Sequence, residues 1–404
     1  MEKQQCPEVR FKGYDQKWRL KKLEEIGIFN PYSNLPQVFE YVDLESVVGT
    51  ELINSRKETI ETAPSRAQRL AYRGDVFYQA VRPYQKNNYL FALPYDNYVF
   101  STGYIQIRPT INSYYLLSFV QKNDFVQKVL ENCTGTSYPA INTTGLKSID
   151  VFISSEANEQ TAIGNFFQNL DQSIALHEKK LAQTQNLKKA MLEKMFPKAG
   201  SKQPEIRLKG FSGAWELKSL SNVSERFEYG LNAQATTFDG INKYIRITDI
   251  DDESRKFILD DITSPNICFD NCEKYKLSTG DILFARTGAS VGKTYIYLEE
   301  DGLVYFAGFL IRAKIKDTFD ANFIFTNTLT ERFNKFVQLT SQRSGQPGIN
   351  AKEYGEYEFY CPNKDEQESI GRFFKQLDET LVLQQQQLQT LKNLKQAFLE
   401  KMFV

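Results

Sequence analysis

The feature that most constrains this chain is that it is written twice. PEVRFKGYDQKWRLKKL at residues 7–23 returns as PEIRLKGFSGAWELKSL at 204–220, with the two tryptophans, Trp18 and Trp215, at equivalent places. Gly74-Asp-Val-Phe-Tyr78 answers Gly280-Asp-Ile-Leu-Phe284, Val99–Gly103 answers Val304–Gly308, and Pro139-Ala-Ile-Asn142 answers Pro347-Gly-Ile-Asn350. The segment 159–196, opening EQTAIGNFF, answers 366–403, opening EQESIGRFF. Self-similarity at a fixed spacing means one structural unit used twice. The closing segments match almost residue for residue, whereas the middles share scattered anchors. Two units therefore keep one scaffold and carry different surfaces.

The closing segments read as long helices. Apolar residues fall at Ile163, Phe167, Leu170, Ile174, Leu181, Met191 and Met195, and again at Ile370, Phe374, Leu377, Leu381, Leu388, Leu391, Phe398 and Met402. Alternating steps of four and three are the period of helices that wind around each other. Pro197 and Gly200 stop the first run. At about 1.5 Å per residue each helix reaches roughly 50–55 Å. Two matching seams in one chain predict that these helices pair with each other rather than lie singly on their own domains. An antiparallel pair would set the two middle domains at opposite ends of a rod. His177, Thr184, Lys188, Gln384 and Lys395 occupy seam positions, where polar residues cost stability and fix register.

Between the helices lie mixed α and β segments. Strand-like runs include Tyr98-Val-Phe100, Gly103–Ile107, Asp281–Ala285, Tyr295–Leu298 and Gly308–Arg312, and helices are predicted over 112–132 and 320–340. One stretch, FARTGASVGKTY at 284–295, resembles a phosphate-binding loop. That motif needs four residues between its first glycine and Gly-Lys-Thr, and only three separate Gly288 from Gly292. It must also open a helix whose free N–H groups hold the phosphate, but Thr-Tyr-Ile-Tyr-Leu follows, which favours a strand. The stretch reads as a hairpin loop. No Gly-x-Ser-x-Gly elbow is present, and Asn30-Pro31-Tyr32-Ser33 lacks the second proline of an amino-methyltransferase signature. The one histidine, His177, sits in a helix seam, which leaves no Ser-His-Asp set for the middle domains. With that single histidine and one close cysteine pair, Cys268 and Cys272, no zinc site is expected, and the five cysteines read as reduced thiols. The sequence argues for recognition rather than catalysis.

Composition adds limits. No segment approaches the roughly 18–20 uninterrupted apolar residues of a membrane span, and the opening MEKQQCPEVR has no apolar signal core; a cytoplasmic location is expected. Lysine plus arginine equals aspartate plus glutamate at 50 each. A zero sum counts mildly against nucleic acid but leaves room for a basic stripe on one face. Both middles carry loops rich in Arg, Lys, Gln, Asn, Ser and Tyr at matching places, and such side chains can meet phosphates and base edges.

In these motifs the chain resembles the specificity subunit of type I restriction-modification systems. The resemblance rests on the Pro-Glu-hydrophobic-Arg…Trp opening at 7–18 and 204–215, on Tyr244-Ile-Arg-Ile-Thr-Asp-Ile250, on Gly280–Gly288, and on the two Ile-Gly-x-Phe-Phe…Met-Phe helices. It implies an α+β fold: two repeated mixed α/β target-recognition domains separated by two long helices in an antiparallel coiled coil, with internal pseudo-two-fold symmetry. The implied boundaries are a lead-in at 1–19, a first recognition domain at 20–158, a central helix at 159–200, a second recognition domain at 201–362 and a distal helix at 363–404. Each domain would read one half of a bipartite site in double-stranded DNA. Two methyltransferase subunits and motor-nuclease subunits would be the partners. No membrane would be involved. The chain itself would bind no cofactor or metal, with S-adenosylmethionine, ATP and Mg carried by partner subunits, and would catalyse nothing. The expected DNA contacts are Gln79, Arg82, Gln85, Lys86, Asn87, Thr136 and Ser137 in the first domain. In the second they are Arg286, Thr287, Ser290, Lys293, Arg343, Ser344 and Gln346, with Lys293 set to meet phosphate. Region 201–362 carries 20 Lys+Arg against 23 Asp+Glu, a net charge of −3. Partner subunits are therefore expected to supply much of the DNA affinity.

Overall fold

A computed structural model describes residues 6–135, 137–198, 200–270, 272–342 and 345–404. The chain divides into two units: the first runs to Lys179 and is completed by Gln386–Val404, and the second is Lys180–Gln385.

The first unit is built on an antiparallel sheet in the order Gly27–Phe29, Tyr104–Pro109, Val76–Gln79, Tyr89–Leu90. The second repeats it with Ser224–Tyr229, Leu310–Ile315, Asp281–Ala285 and Thr294–Ile296. In each unit a parallel pair stands beside this sheet, Val38–Val42 with Tyr98–Ser101 and Lys243–Ile245 with Val304–Phe306. The Trp-bearing opening of each repeat leads into an antiparallel pair, Arg19–Lys22 with Asp150–Ile153 and Glu216–Ser219 with Glu358–Cys361. Val76–Gln79 and Asp281–Ala285 are buried along their whole length, including the polar Gln79 and Asp281. The divergent middles account for the rest. The first unit adds Arg56–Thr59 and Ala67–Leu70 to its parallel pair, whereas the second folds a separate ribbon, Ala235–Thr237 with Thr263–Pro265.

The two long helices, Ala157–Lys194 and Lys364–Lys401, have 38 residues each. Within each unit the start of one packs antiparallel on the end of the other. In the first unit Phe166 meets Phe398 edge to face at 5.1 Å, and Lys395 and Lys392 pair with Asp171 and Glu178 at 2.5 and 2.7 Å. In the second, Lys188 pairs with Asp378 at 2.5 Å. The seam lysines are thus not bare polar residues: each neutralises an aspartate on the opposite helix at the equivalent position.

The repeated motif EQ-x-x-IG explains itself in this setting. Glu159 is fully buried and takes both the Arg10 guanidinium and the Trp18 Nε1–H. Glu366 takes Arg207 in the same way. The Gln160 and Gln367 amides donate to Ser154 O and Pro362 O at 2.8 Å. Their side-chain oxygens accept from the backbone N–H of Asn112 and Asp320, the residues whose side chains cap helices Ser113–Phe119 and Ala321–Asn327. Gly164 and Gly371 sit against those caps: a Cβ on either would collide with Asn112 Oδ1 or Asp320 Oδ1. The paired Pro-x-Ile-Asn segments end in the N-caps Asn142 and Asn350.

The helices expected over 112–132 and 320–340 are each two helices. Ser113–Phe119 is followed by Asn123–Glu131, and Ala321–Asn327 by Glu331–Thr340. In the second unit the Thr330 hydroxyl donates to Asn327 O and accepts from Phe333 N–H, so it closes one helix and opens the next. In the first, the chain turns at Lys122, whose Nζ donates to Phe403 O at 3.4 Å.

Two predictions follow from these contacts. Gly to Ala in a helix normally stabilises by about 1 kcal/mol; Gly164→Ala and Gly371→Ala are expected instead to destabilise by about 1–3 kcal/mol through overpacking, read as a lowered urea midpoint. Reversing the charge of Lys188 alone is expected to lower the midpoint as well. Adding Asp378→Lys to Lys188→Asp is expected to restore most of the loss, and a double-mutant cycle measures the coupling.

Candidate nucleic-acid interface

Each unit brings two distant loops together at the end of its central strand. In the first, Ala80 N–H donates to Gly103 O and Ile141 N–H to Ala80 O, while Arg82 N–H donates to Pro139 O at 2.8 Å. Val81 bridges Ala140. In the second, Arg286 N–H donates to Phe309 O, Ile349 N–H to Arg286 O and Gly288 N–H to Pro347 O at 3.0 Å, and Thr287 bridges Gly348. The bonds match one for one. They equate Ala80 with Arg286, Arg82 with Gly288, and Pro139 with Pro347. The next residue back then equates Tyr138 with Gln346. Arg82 adopts φ 55° and Gly288 φ 71°, so both turns use the left-handed region. The same bonds place Phe309, not Gly308, at the position of Gly103, so the sequence match at this strand slips by one residue.

One backbone frame therefore holds different side chains. In the first unit the Arg82 guanidinium lies 4.4 Å over the ring of Tyr138, which is 63% exposed. In the second, Gly288 leaves room for the Gln346 amide, whose Nε2 lies 2.9 Å from where a Cβ would stand. Nearby, Arg286 lies 5.0 Å over Tyr229. An arginine held flat on a ring keeps its N–H edge for a partner in its own plane.

The hairpin expected for FARTGASVGKTY is present. Asp281–Ala285 pairs antiparallel with Thr294–Ile296 across a short 3-10 turn at Gly288–Ser290. Its N–H groups are taken inside the fold: Gly288 by Pro347 O, Gly292 by Ala285 O and the Tyr354 hydroxyl, and Lys293 by Ser290 O. A phosphate cradle would need those groups free.

The expected contact residues divide by environment. Arg82, Gln85 and Ser137 lie at the surface of the first loop pair, and Arg286, Thr287, Ser290 and Gln346 at that of the second, each at least partly exposed. Gln79 is buried and works within the loop: Nε2 donates to Gln85 Oε1 at 2.7 Å, Oε1 accepts from Asn87 N–H, and its own N–H donates to Asn88 Oδ1. Asn87 Oδ1 accepts from Gly49 N–H, and Lys86 Nζ donates to Asn123 Oδ1 at 2.5 Å. Burial lowers the Lys86 pKa. Lys293 is 9% exposed; its Nζ donates to Ile250 O at 3.0 Å and pairs with Asp252 at 2.7 Å. Its ammonium is committed inside the fold rather than held out to meet phosphate. Thr136, Arg343 and Ser344 lie outside the described residues. Tyr138, Tyr229 and Phe309 were not singled out from the sequence. They stand out by place: Tyr138 lies under Arg82 and Tyr229 under Arg286 at the joined loops, and Phe309 is exposed beside Arg286.

The type I restriction modification DNA specificity domain family matches residues 62–186 and 213–393. The specificity subunit of the type I restriction enzyme HindI from Haemophilus influenzae is 23% identical over 175 residues, 42% of this chain and 37% of that protein. The match thus spans little more than a third of that relative's length. The type I restriction-modification S subunit from M. genitalium superposes with a TM-score of 0.66 at 14% identity, over 99% of both chains. A second structure, concerned with complex assembly and conformational transition of the type I R-M system, gives 0.54 at 20% identity, over 96% of this chain and 97% of that one. These likenesses extend the shared fold over nearly the whole chain.

The Gln79 contacts give a direct test of loop order. Gln79→Ala is expected to cost about 1–3 kcal/mol, since buried partners lose their bonds, and to speed amide exchange at Asn87 while leaving the second unit unchanged.

Proposed function

The chain belongs to the type I restriction modification DNA specificity family, and from that premise we propose that each unit reads one half of a bipartite duplex site through its joined loops. It is the specificity component of such a system and not its catalyst. The observation that carries the reading is the matched frame with unmatched side chains: Arg82 and Tyr138 in one unit, Gly288 and Gln346 in the other. Two readers of different half-sites need one geometry and two sets of donors.

The long helices are the spacer in this reading. At 38 residues and about 1.5 Å per residue each extends about 57 Å. That length is enough to bridge readers set a turn of DNA apart, roughly 34–36 Å. A unit used twice also suits the two related half-sites of a duplex. Two methyltransferase subunits would bring S-adenosylmethionine, and motor-nuclease subunits ATP and Mg, in the cytoplasm. The net charge of −3 over 201–362 fits a chain that draws part of its DNA affinity from those partners.

Co-expression with a methyltransferase subunit from the same locus, followed by mapping of modified adenines, tests this. A single two-part motif with a fixed gap is the expected result. Copurification without new methylation would contradict the recognition role, and absence of both would favour a coiled-coil scaffold without DNA binding. Within the assembled complex, Lys293→Ala is expected to lower thermal stability and leave the salt dependence of binding unchanged. A slope reduced by about one would show that its ammonium neutralises a phosphate.

A further inference from the structure

A cleft of about 570 Å³ opens beside the second loop pair, in the size range of roughly 300–1,000 Å³ typical of small-molecule sites. Gly230 and Gly308 are among its lining residues. Gly230 lies against Ala307 so closely that a Cβ would strike the Ala307 carbonyl, and Gly308 N–H donates to Leu231 O at 2.8 Å. One wall is Arg286 stacked on Tyr229. Arg246 and Thr248 line the cleft too, with Arg246 locked by two 2.7 Å bonds to Asp249. Phe309 lines it as well, tied to Arg286 through the Arg286 N–H to Phe309 O bond and 58% exposed.

A large aromatic side chain left in water beside a cleft lined by a guanidinium has a definite chemistry. It offers a π-face to a flat ring, and Arg286 offers in-plane donors to that ring's edge. The fold does not require an aromatic here, because the first unit carries Gly103 at the same backbone position.

We propose that Phe309 stacks on a nucleobase displaced from the duplex within the half-site read by the second unit, and that the cleft receives that base with Arg286 donating to its edge. This rests on the reading of the chain as a DNA specificity subunit. It adds an asymmetry to that reading: the second unit unstacks its half-site and the first does not. Stacking on an aromatic holds a base whatever its identity, so Arg286 supplies the choice and Phe309 the grip.

The test uses the full chain assembled with its methyltransferase subunits on duplexes carrying the mapped site, with 2-aminopurine placed in turn at each position other than the modified adenines. Fluorescence is expected to rise at one position in the second half-site and at none in the first. Phe309→Ala and Phe309→Leu are expected to abolish that rise and weaken binding about tenfold or more, with an unchanged salt slope, whereas Phe309→Trp keeps the binding. Because Phe309 is exposed, these variants leave the core intact, and loss in Leu with retention in Trp separates stacking from packing. No rise in the wild-type complex, or a Leu variant that binds as Phe does, overturns the inference while leaving the family reading in place. A wild-type complex with no two-part site overturns both.

Discussion

The structure depends on one aromatic plug, made twice. Phe403, just past the end of the second long helix, packs among Trp18, Tyr115, Phe119 and Phe167, with ring centroids 5.1–6.2 Å apart. Phe196, just past the end of the first, packs on Trp215, Phe323 and Phe374 at 5.5–6.5 Å. Each repeat thus closes by placing its last residues in the core of the unit to which the other tryptophan belongs. Burial of such rings dominates core energetics, so neither unit is complete without the helix that began in the other. The antiparallel helix pair follows from this exchange, and the Asp171–Lys395 and Asp378–Lys188 pairs set its register.

The plug fixes what must repeat, and the loops show what is free to differ. The frame around Trp18 and Trp215 recurs: the buried Glu159 and Glu366, the glutamines that clamp the neighbouring helix caps, and the glycines that admit those caps. The Trp18 bond to Glu159 does not recur, since Trp215 Nε1 has no partner among the described residues. At the far end of each central strand the hydrogen bonds recur but the side chains do not. A rigid frame that presents variable groups is how recognition surfaces are usually built.

Much of this was legible in the sequence, for physical reasons. The seam period predicts the helices and their pairing because steps of four and three, sustained over the whole length and matched in two segments, suit packing of one helix on the other. The strand-forming residues after Gly292 exclude the phosphate loop from the sequence alone. Side-chain reach was less legible. Lys293 reads as a loop cation, but Asp252 and Ile250, some forty residues earlier, capture it. Gln79 reads as a polar loop residue, yet strand pairing turns it inward, where it ties Gln85 and Asn87. The helix break at Thr330 escapes a periodicity argument because the apolar spacing continues across it through Phe325, Leu329 and Phe333, whereas the break at Lys122 falls in the polar run Gln121–Asp124. Tyr138, Tyr229 and Phe309 carry no local signal at all.

The central claim is that matching loop pairs read separate half-sites. The most direct test replaces Arg82 with Gly and Tyr138 with Gln, giving the first unit the residues of the second at those two places, and maps modified adenines in cells carrying the complex. The account predicts that the bases preferred in one half of the motif change while the other half and the gap stay as they were. A motif unchanged in both halves, or changed in both, would contradict it.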